Sequence, residues 1–252
     1  MADLAPTSSS FALSLLGRFE LAQESVSVPV APASQRLLAF VALAKRRVSR
    51  DMAAGILWPE SSERCAHANL RAALARLRAK TSGVVWADRL ELGLEPQVGV
   101  DLVYARATAQ TLLQDAEAMS ADAATAAISG LACELLPGWY EDWVLIEAEG
   151  WRQLRLHALE AVAGILTKAG RFGEAVVAAQ LAVDADPLRE SSHAALIAVH
   201  ISEGNQSEAV REFQRYRTHL NAALGIEPTA RLRALLAFDG HLAEPPPSFL
   251  TR

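Results

Sequence analysis

At 252 residues, 51% hydrophobic and 21% charged, the chain has the composition of a globular protein of one or two domains, each able to bury a core. Its apolar runs are short and interrupted by Arg, Glu or Gly, and MADLAPTSSS opens with neither a basic stretch nor a long apolar one. A membrane span and a secretory signal are therefore not expected, and the expected compartment is the cytoplasm. The formal net charge of −5 conceals a division. Residues 36–80 hold ten Lys and Arg against three Asp and Glu, whereas residues 101–252 hold 12 against 20. A local basic footprint suits a polyanion even when the whole chain is acidic, and the acidic half points toward protein partners. Cys65 and Cys133 are the only cysteines, too few and too far apart for a disulfide scaffold or a zinc site.

Residues 1–10 are expected to form a loose tail. Phe11, Leu13 and Leu15 alternate with Ala12 and Ser14, and Phe19-Glu20-Leu21 resumes the pattern after Gly17-Arg18. Val26-Ser27-Val28 then stops at Pro29. This is the pattern of a small antiparallel sheet. Ser34 is the expected N-cap of a helix over Gln35–Lys45, with Leu37, Leu38, Val41 and Leu43 on its buried face and Lys45-Arg46-Arg47 closing its last turn. Ser49 caps a second helix, Arg50–Leu57, which ends at Trp58-Pro59.

A third helix follows over 61–80, and it is the most informative segment. Ala66, Leu70, Ala73, Leu74 and Leu77 fall on one stripe at helical spacing. Ala68, Ala72, Ala75 and Ala79 form the opposite stripe, flanked by Arg64, Arg71 and Arg78 on one side and by Asn69 and Arg76 on the other. A helix buried on one side, flat on the other and edged by guanidinium groups suits a DNA major groove. After Thr81-Ser82-Gly83, Val84-Val85-Trp86 and Leu90-Glu91-Leu92 read as a hairpin around Ala87-Asp88-Arg89. Sheet, three helices and hairpin give a winged helix-turn-helix with a strand platform, over residues 11–95, and Arg89 sits at the tip of the wing.

Pro96 to Gly99 is expected to be a linker. Beyond it the sequence predicts an all-α domain over 101–239, with helices near 101–118, 121–131, 140–169, 173–185, 188–203, 206–223 and 228–238, and a tail over 240–252. Gly170, Glu174 and Ala175 recur as Gly204, Glu208 and Ala209. The shift of 34 residues is the tetratricopeptide period. The second unit is degenerate, because Ala182 and Pro187 are replaced by Tyr216 and Asn221. The expected fold is thus mainly α, a winged helix with β platform and β wing followed by a tetratricopeptide-like helical domain.

These residues resemble a known family. LLGRFEL at 15–21, VSRDMAAGILWPE at 48–60 and ANLRAALARLRAK at 68–80 are similar to the OmpR-type winged helix of the Streptomyces antibiotic regulatory proteins. LLPGWYEDW at 135–143, RQLRLHALEAV at 152–162, AGRFGEAVVAAQLAVDADPLRE at 169–190 and LGIEPTARLRAL at 224–235 resemble the bacterial transcriptional activator domain that follows it in that family. The resemblance covers residues 11–238. It implies a non-enzymatic transcriptional activator that binds promoter direct repeats in double-stranded DNA, as a homodimer on DNA, and recruits RNA polymerase holoenzyme, with no cofactor. Helix 61–80 is then the recognition helix. Arg71, Ala72, Ala75, Arg76 and Arg78 lie at or beside DNA, and Arg89 lies at the wing tip. The outer stripe of alanines is a departure from the family pattern. So are the wing without Gly-Tyr near its second strand and the absence of a P-loop ATPase motif.

From the residues themselves, Arg64, Arg71, Arg78 and Arg89 suit phosphate, and Arg76 and Asn69 suit guanine and adenine edges. The rival reading is a protein-interaction adaptor with a degenerate winged helix. The histidines His67, His157, His193, His200 and His219 form no triad or metal pattern. A small-molecule pocket near Trp139, Trp143, Trp151 and Tyr216 is a further alternative to plain aromatic packing.

Overall fold

A computed structural model describes residues 11–44, 46–116 and 118–237. The expected tails, 1–10 and 240–252, and Lys45 lie outside the described residues. The chain forms two compact units. One comprises Met1–Ala107 with Cys133–Gln153, and the other Thr108–Ala132 with Leu154–Arg252.

The first unit begins with strands β1 (Phe11–Ser14), β2 (Glu20–Gln23) and β3 (Val26–Ser27), paired antiparallel in sequence. Phe11 and Leu13 are buried and Ala12 is exposed, the alternation of a strand with one covered face. Glu24 and Ser25 join β2 to β3 with φ of 50° and 68°, the double positive φ of a type I′ hairpin. Helix α1 (Pro32–Leu43) starts three residues earlier than the sequence suggested, because Pro32 takes the first helical position, where its missing N–H costs nothing. Ser34 is consequently no cap. It is buried, and its Oγ donates to the Ala73 carbonyl at 3.0 Å. The helix ends at Leu43, so Arg46 and Arg47 lie beyond its last turn.

Strand β4 (Val48–Ser49), which is too short to leave a pattern, precedes α2 (Arg50–Leu57). Ser49 caps α2 as expected, accepting from the Met52 amide at 3.1 Å. Helix α3 (Glu63–Arg78) ends two residues before Lys80, within the usual fraying of helix ends. Strands β5 (Val85–Ala87) and β6 (Glu91–Leu94) form the hairpin, one residue later than the sequence placed it, and β4 adds to β6 to make a three-stranded sheet in the order β4-β6-β5.

The predicted linker is partly a strand. Gly99–Val100 form β7, which runs parallel to β1 and completes a sheet in the order β3-β2-β1-β7. Asp101 opens α4 (Asp101–Gln114) directly after it. Its carboxylate accepts from the Leu15, Leu16 and Leu102 amides at 2.7–3.1 Å. The stretch 133–153 also belongs to this unit. The Gly17 amide donates to Glu134 and the Leu136 amide to Leu15, at 2.7 and 2.8 Å. Trp139 stacks on Phe19, while Trp143 meets Trp139 and Phe40 edge-on. The sequence pattern predicts a break at Leu136-Pro137-Gly138 and a helix from 140, but not that Trp139 and Trp143 pack on Phe19 and Phe40.

In the second unit lie α5 (Ala121–Leu131), α7 (Phe172–Ala185), α8 (Glu190–Glu203), α9 (Gln206–Leu224) and α10 (Ala230–Ala234), together with the later turns of α4 and of α6 (Asp142–Lys168). Helices α7, α8 and α9 pack in succession. Ala175, Ala178, Ala179 and Ala182 of α7 are fully buried, so small residues let the helices approach closely. Helix α10 is shorter than predicted and is capped by Thr229. Tyr216, the residue that breaks the repeat, is 2% exposed and stacks on His193 at 4.2 Å. The tryptophans and Tyr216 therefore serve separate cores, Trp139, Trp143 and Trp151 in the first unit and Tyr216 in the second.

Candidate nucleic-acid interface

Helix α3 owes its orientation to its apolar stripe. Ala66, Leu70, Ala73, Leu74 and Leu77 are all no more than 4% exposed, and α3 packs on α1 and α2. The Ser34–Ala73 hydrogen bond fixes its depth against α1. Glu63 in the first turn and Arg76 and Arg78 in the last complement the helix dipole. Sixteen residues make a rod of roughly 24 Å, long enough to lie along a groove.

The opposite side is open. Arg64, Ala68, Arg71, Ala75, Arg76, Arg78 and Ala79 are exposed, and Asn69 and Ala72 are half-buried. Arg89 and Leu90 are exposed on the wing turn. Among the described residues, Arg64, Arg71, Arg76 and Arg89 make no ion pair or side-chain hydrogen bond within the chain, so their donors stay available to an outside acceptor. His67 on the same helix is half-buried and lies 3.3 Å from Asp51 of α2. Cys65 is exposed and free, and Cys133 is free as well.

Arg78 differs from the other arginines. Its Nη2 donates to the Ala87 carbonyl of β5 at 3.2 Å. Arg50, whose place at the start of α2 gives no sequence signal of a further role, donates through Nη1 to the Asp88 carbonyl at 3.0 Å and through its backbone amide to Leu90 at 2.8 Å. Arg47 lies over the Trp86 ring at 5.0 Å and 3.8 Å from Glu91. Beneath Trp86, Gly93 leaves room for the indole, since a Cβ there would sit 2.8 Å from its Nε1. Only pairing across the hairpin brings these residues together, so helical spacing alone could not have found them.

His193 and His157 fall into structural networks. His193 contacts Glu212 at 2.7 Å and the Pro187 carbonyl at 3.0 Å. His157 lies beside Arg189, which donates to Glu160. Burial pushes the Glu160 carboxyl up, and hydrogen bonds from Arg189, Ser191 and Ser192 outweigh it, so the group stays below the ordinary glutamate value. Among the described residues there is no cluster of three or more His, Cys, Asp or Glu able to hold a metal ion. Nor is any described helix long and apolar enough to cross a membrane.

The arrangement of three helices, a hairpin wing and a helical second half agrees with two comparisons. The family model of the bacterial transcriptional activator domain matches residues 100–237. The structure of Mycobacterium tuberculosis EmbR in complex with a low-affinity phosphopeptide is similar with a TM-score of 0.74 and 22% sequence identity. That match covers 90% of this chain and 64% of the EmbR chain, and at this identity it speaks to the fold. No curated protein sequence matches the chain.

Proposed function

We propose a function from the premise that this chain belongs to the bacterial transcriptional activator domain family, in the winged-helix arrangement of the Streptomyces antibiotic regulatory proteins. In this proposal residues 11–95 bind promoter direct repeats in double-stranded DNA, and residues 101–239 support dimerisation on DNA and contacts to RNA polymerase holoenzyme in the cytoplasm. Helix α3 enters the major groove. Arg64, Arg71 and Arg89 bind phosphates, Arg78 supports them from the carbonyl it holds on the wing turn, Arg76 and Asn69 reach base edges, and Ala72 and Ala75 admit close backbone approach and thymine methyl groups.

The observation that carries this reading is the set of exposed arginines without intramolecular partners, placed opposite the buried stripe of α3 and on the wing turn. Surface arginines held in ion pairs would have their charge spent within the chain. These are not so held, and a duplex backbone offers them a regular array of acceptors. The alanine-rich outer face supports the rival reading of a protein-interaction adaptor, because it offers few side chains to bases. A mobility-shift assay with fragments of the region upstream of the protein's own coding sequence separates the two. The activator reading expects a retarded complex at low salt that weakens steeply as salt rises. Absence of a shift at every salt concentration leaves the adaptor.

A further inference from the structure

The arginines of the winged helix divide into two kinds by what their guanidinium groups touch. Arg64, Arg71, Arg76 and Arg89 end in solvent. Arg50 and Arg78 reach from α2 and α3 to successive backbone carbonyls, Asp88 and Ala87, at the wing turn. The same turn is closed by Asp88, whose Oδ1 accepts from the Leu90 and Glu91 amides at 2.8 and 2.7 Å, and whose own amide donates to Glu91 at 3.0 Å. Those two amide bonds hold the Asp88 carboxyl below the ordinary aspartate range, burial opposes them slightly, and the charges of Arg47 and Arg50 add to the lowering.

We infer that Arg50 and Arg78 are positioning residues, a clamp that fixes the wing turn to the helix-turn-helix and so presents Arg89 to DNA at a set angle to α3. The inference deepens the DNA-binding proposal and rests on it for its consequence, but the clamp itself is a property of the free protein. Two carbonyls on adjacent residues, each held by a guanidinium from a different helix, restrict the freedom that the tip of a hairpin otherwise retains. The backbone bond from the Arg50 amide to Leu90 adds a third tie from α2 to the same turn. Arg78 thus acts on DNA chiefly through Arg89, whereas Arg71, two turns earlier on α3 and without such a bond, acts directly.

Two measurements on the full chain test this. In the free protein, hydrogen exchange at the Asp88 and Glu91 amides should quicken by about tenfold in Arg50→Ala and in Arg78→Ala, while Arg64→Ala leaves it unchanged. Equal exchange in all three variants overturns the clamp, whether or not the protein binds DNA. With the upstream duplex as probe, Arg78→Ala and Arg89→Ala should each weaken binding by about tenfold, and the double variant should bind no more weakly than the weaker single one. A double variant weaker by the product of the two single effects makes Arg78 an independent phosphate contact and overturns the positioning role. If the wild-type protein shifts no duplex, the DNA-binding proposal fails and the exchange measurement alone decides the clamp.

Discussion

Removal of Glu212 would leave a buried imidazole without its partner in the core of the second unit. Glu212 and His193 are each 3% exposed. The imidazole Nδ1 lies 2.7 Å from Glu212 Oε1, and Nε2 lies 3.0 Å from the Pro187 carbonyl. Both ring nitrogens thus lie within hydrogen-bond distance of an acceptor. Breaking such a buried pair from one side costs about 3–5 kcal/mol, because the remaining polar group loses its partner but not its burial. For a chain of this size, Glu212→Ala should therefore lower the melting temperature by roughly 6–20 °C. Arg215 provides the control. It pairs with the same carboxylate, but its side chain is 68% exposed, so Arg215→Ala should cost only about 0.2–1 kcal/mol. The pair also sets a pH dependence. Burial raises the Glu212 carboxyl, and the His193 hydrogen bond, with the charges of His193, Arg215 and His200, more than offsets this, leaving it lowered. A lowered carboxyl stabilises fully above its unfolded value. That contribution is lost as pH falls below the ordinary 4.5 and through the folded value. Urea and thermal unfolding between pH 3 and pH 7 measure both effects. A Glu212→Ala loss as small as that of Arg215→Ala would refute the buried-pair account.

Other substitutions follow from single positions. Gly93→Ala would drive its Cβ to within 2.8 Å of Trp86, displacing the indole from beneath Arg47. It should destabilise by about 1–3 kcal/mol and change tryptophan fluorescence, and unchanged stability would mean the indole has room to move. Ser25 holds φ of 68°, so Ser25→Gly should raise stability by on the order of 1 kcal/mol in urea unfolding, against the usual direction for glycine. Arg76→Ala should relax preference at one base pair at a cost of about 1–3 kcal/mol, read by competition with single-substitution duplexes. Equal weakening toward all duplexes would make Arg76 a phosphate contact.

Helical periodicity made most of the fold legible. The stripe Ala66–Leu70–Ala73–Leu74–Leu77 reads as buried from spacing alone, and it is. Ser49 reads as a cap because a helix of apolar period follows it, and it caps α2. Pairings distant in sequence left no local trace. Strands β4 and β7 have two residues each, too few to show alternation, and their partners are distant in sequence, Val48 opposite Leu92 and Ala12 opposite Gly99. Ser34 has the chemistry of a cap, but Pro32 had already set the helix start, so its hydroxyl was free for Ala73. At the candidate interface, spacing identified which arginines of α3 face outward, since exposure follows from the helix. It could not separate Arg78 from its neighbours, because the Ala87 carbonyl that binds it lies across a turn of the chain.

DNase footprinting of the wild-type protein on the region upstream of its coding sequence tests the central claim most directly. The account predicts two protected direct repeats in the same orientation, with protection lost in Arg71→Ala and when salt is raised. A cleavage pattern identical to that of free DNA at low salt would contradict it.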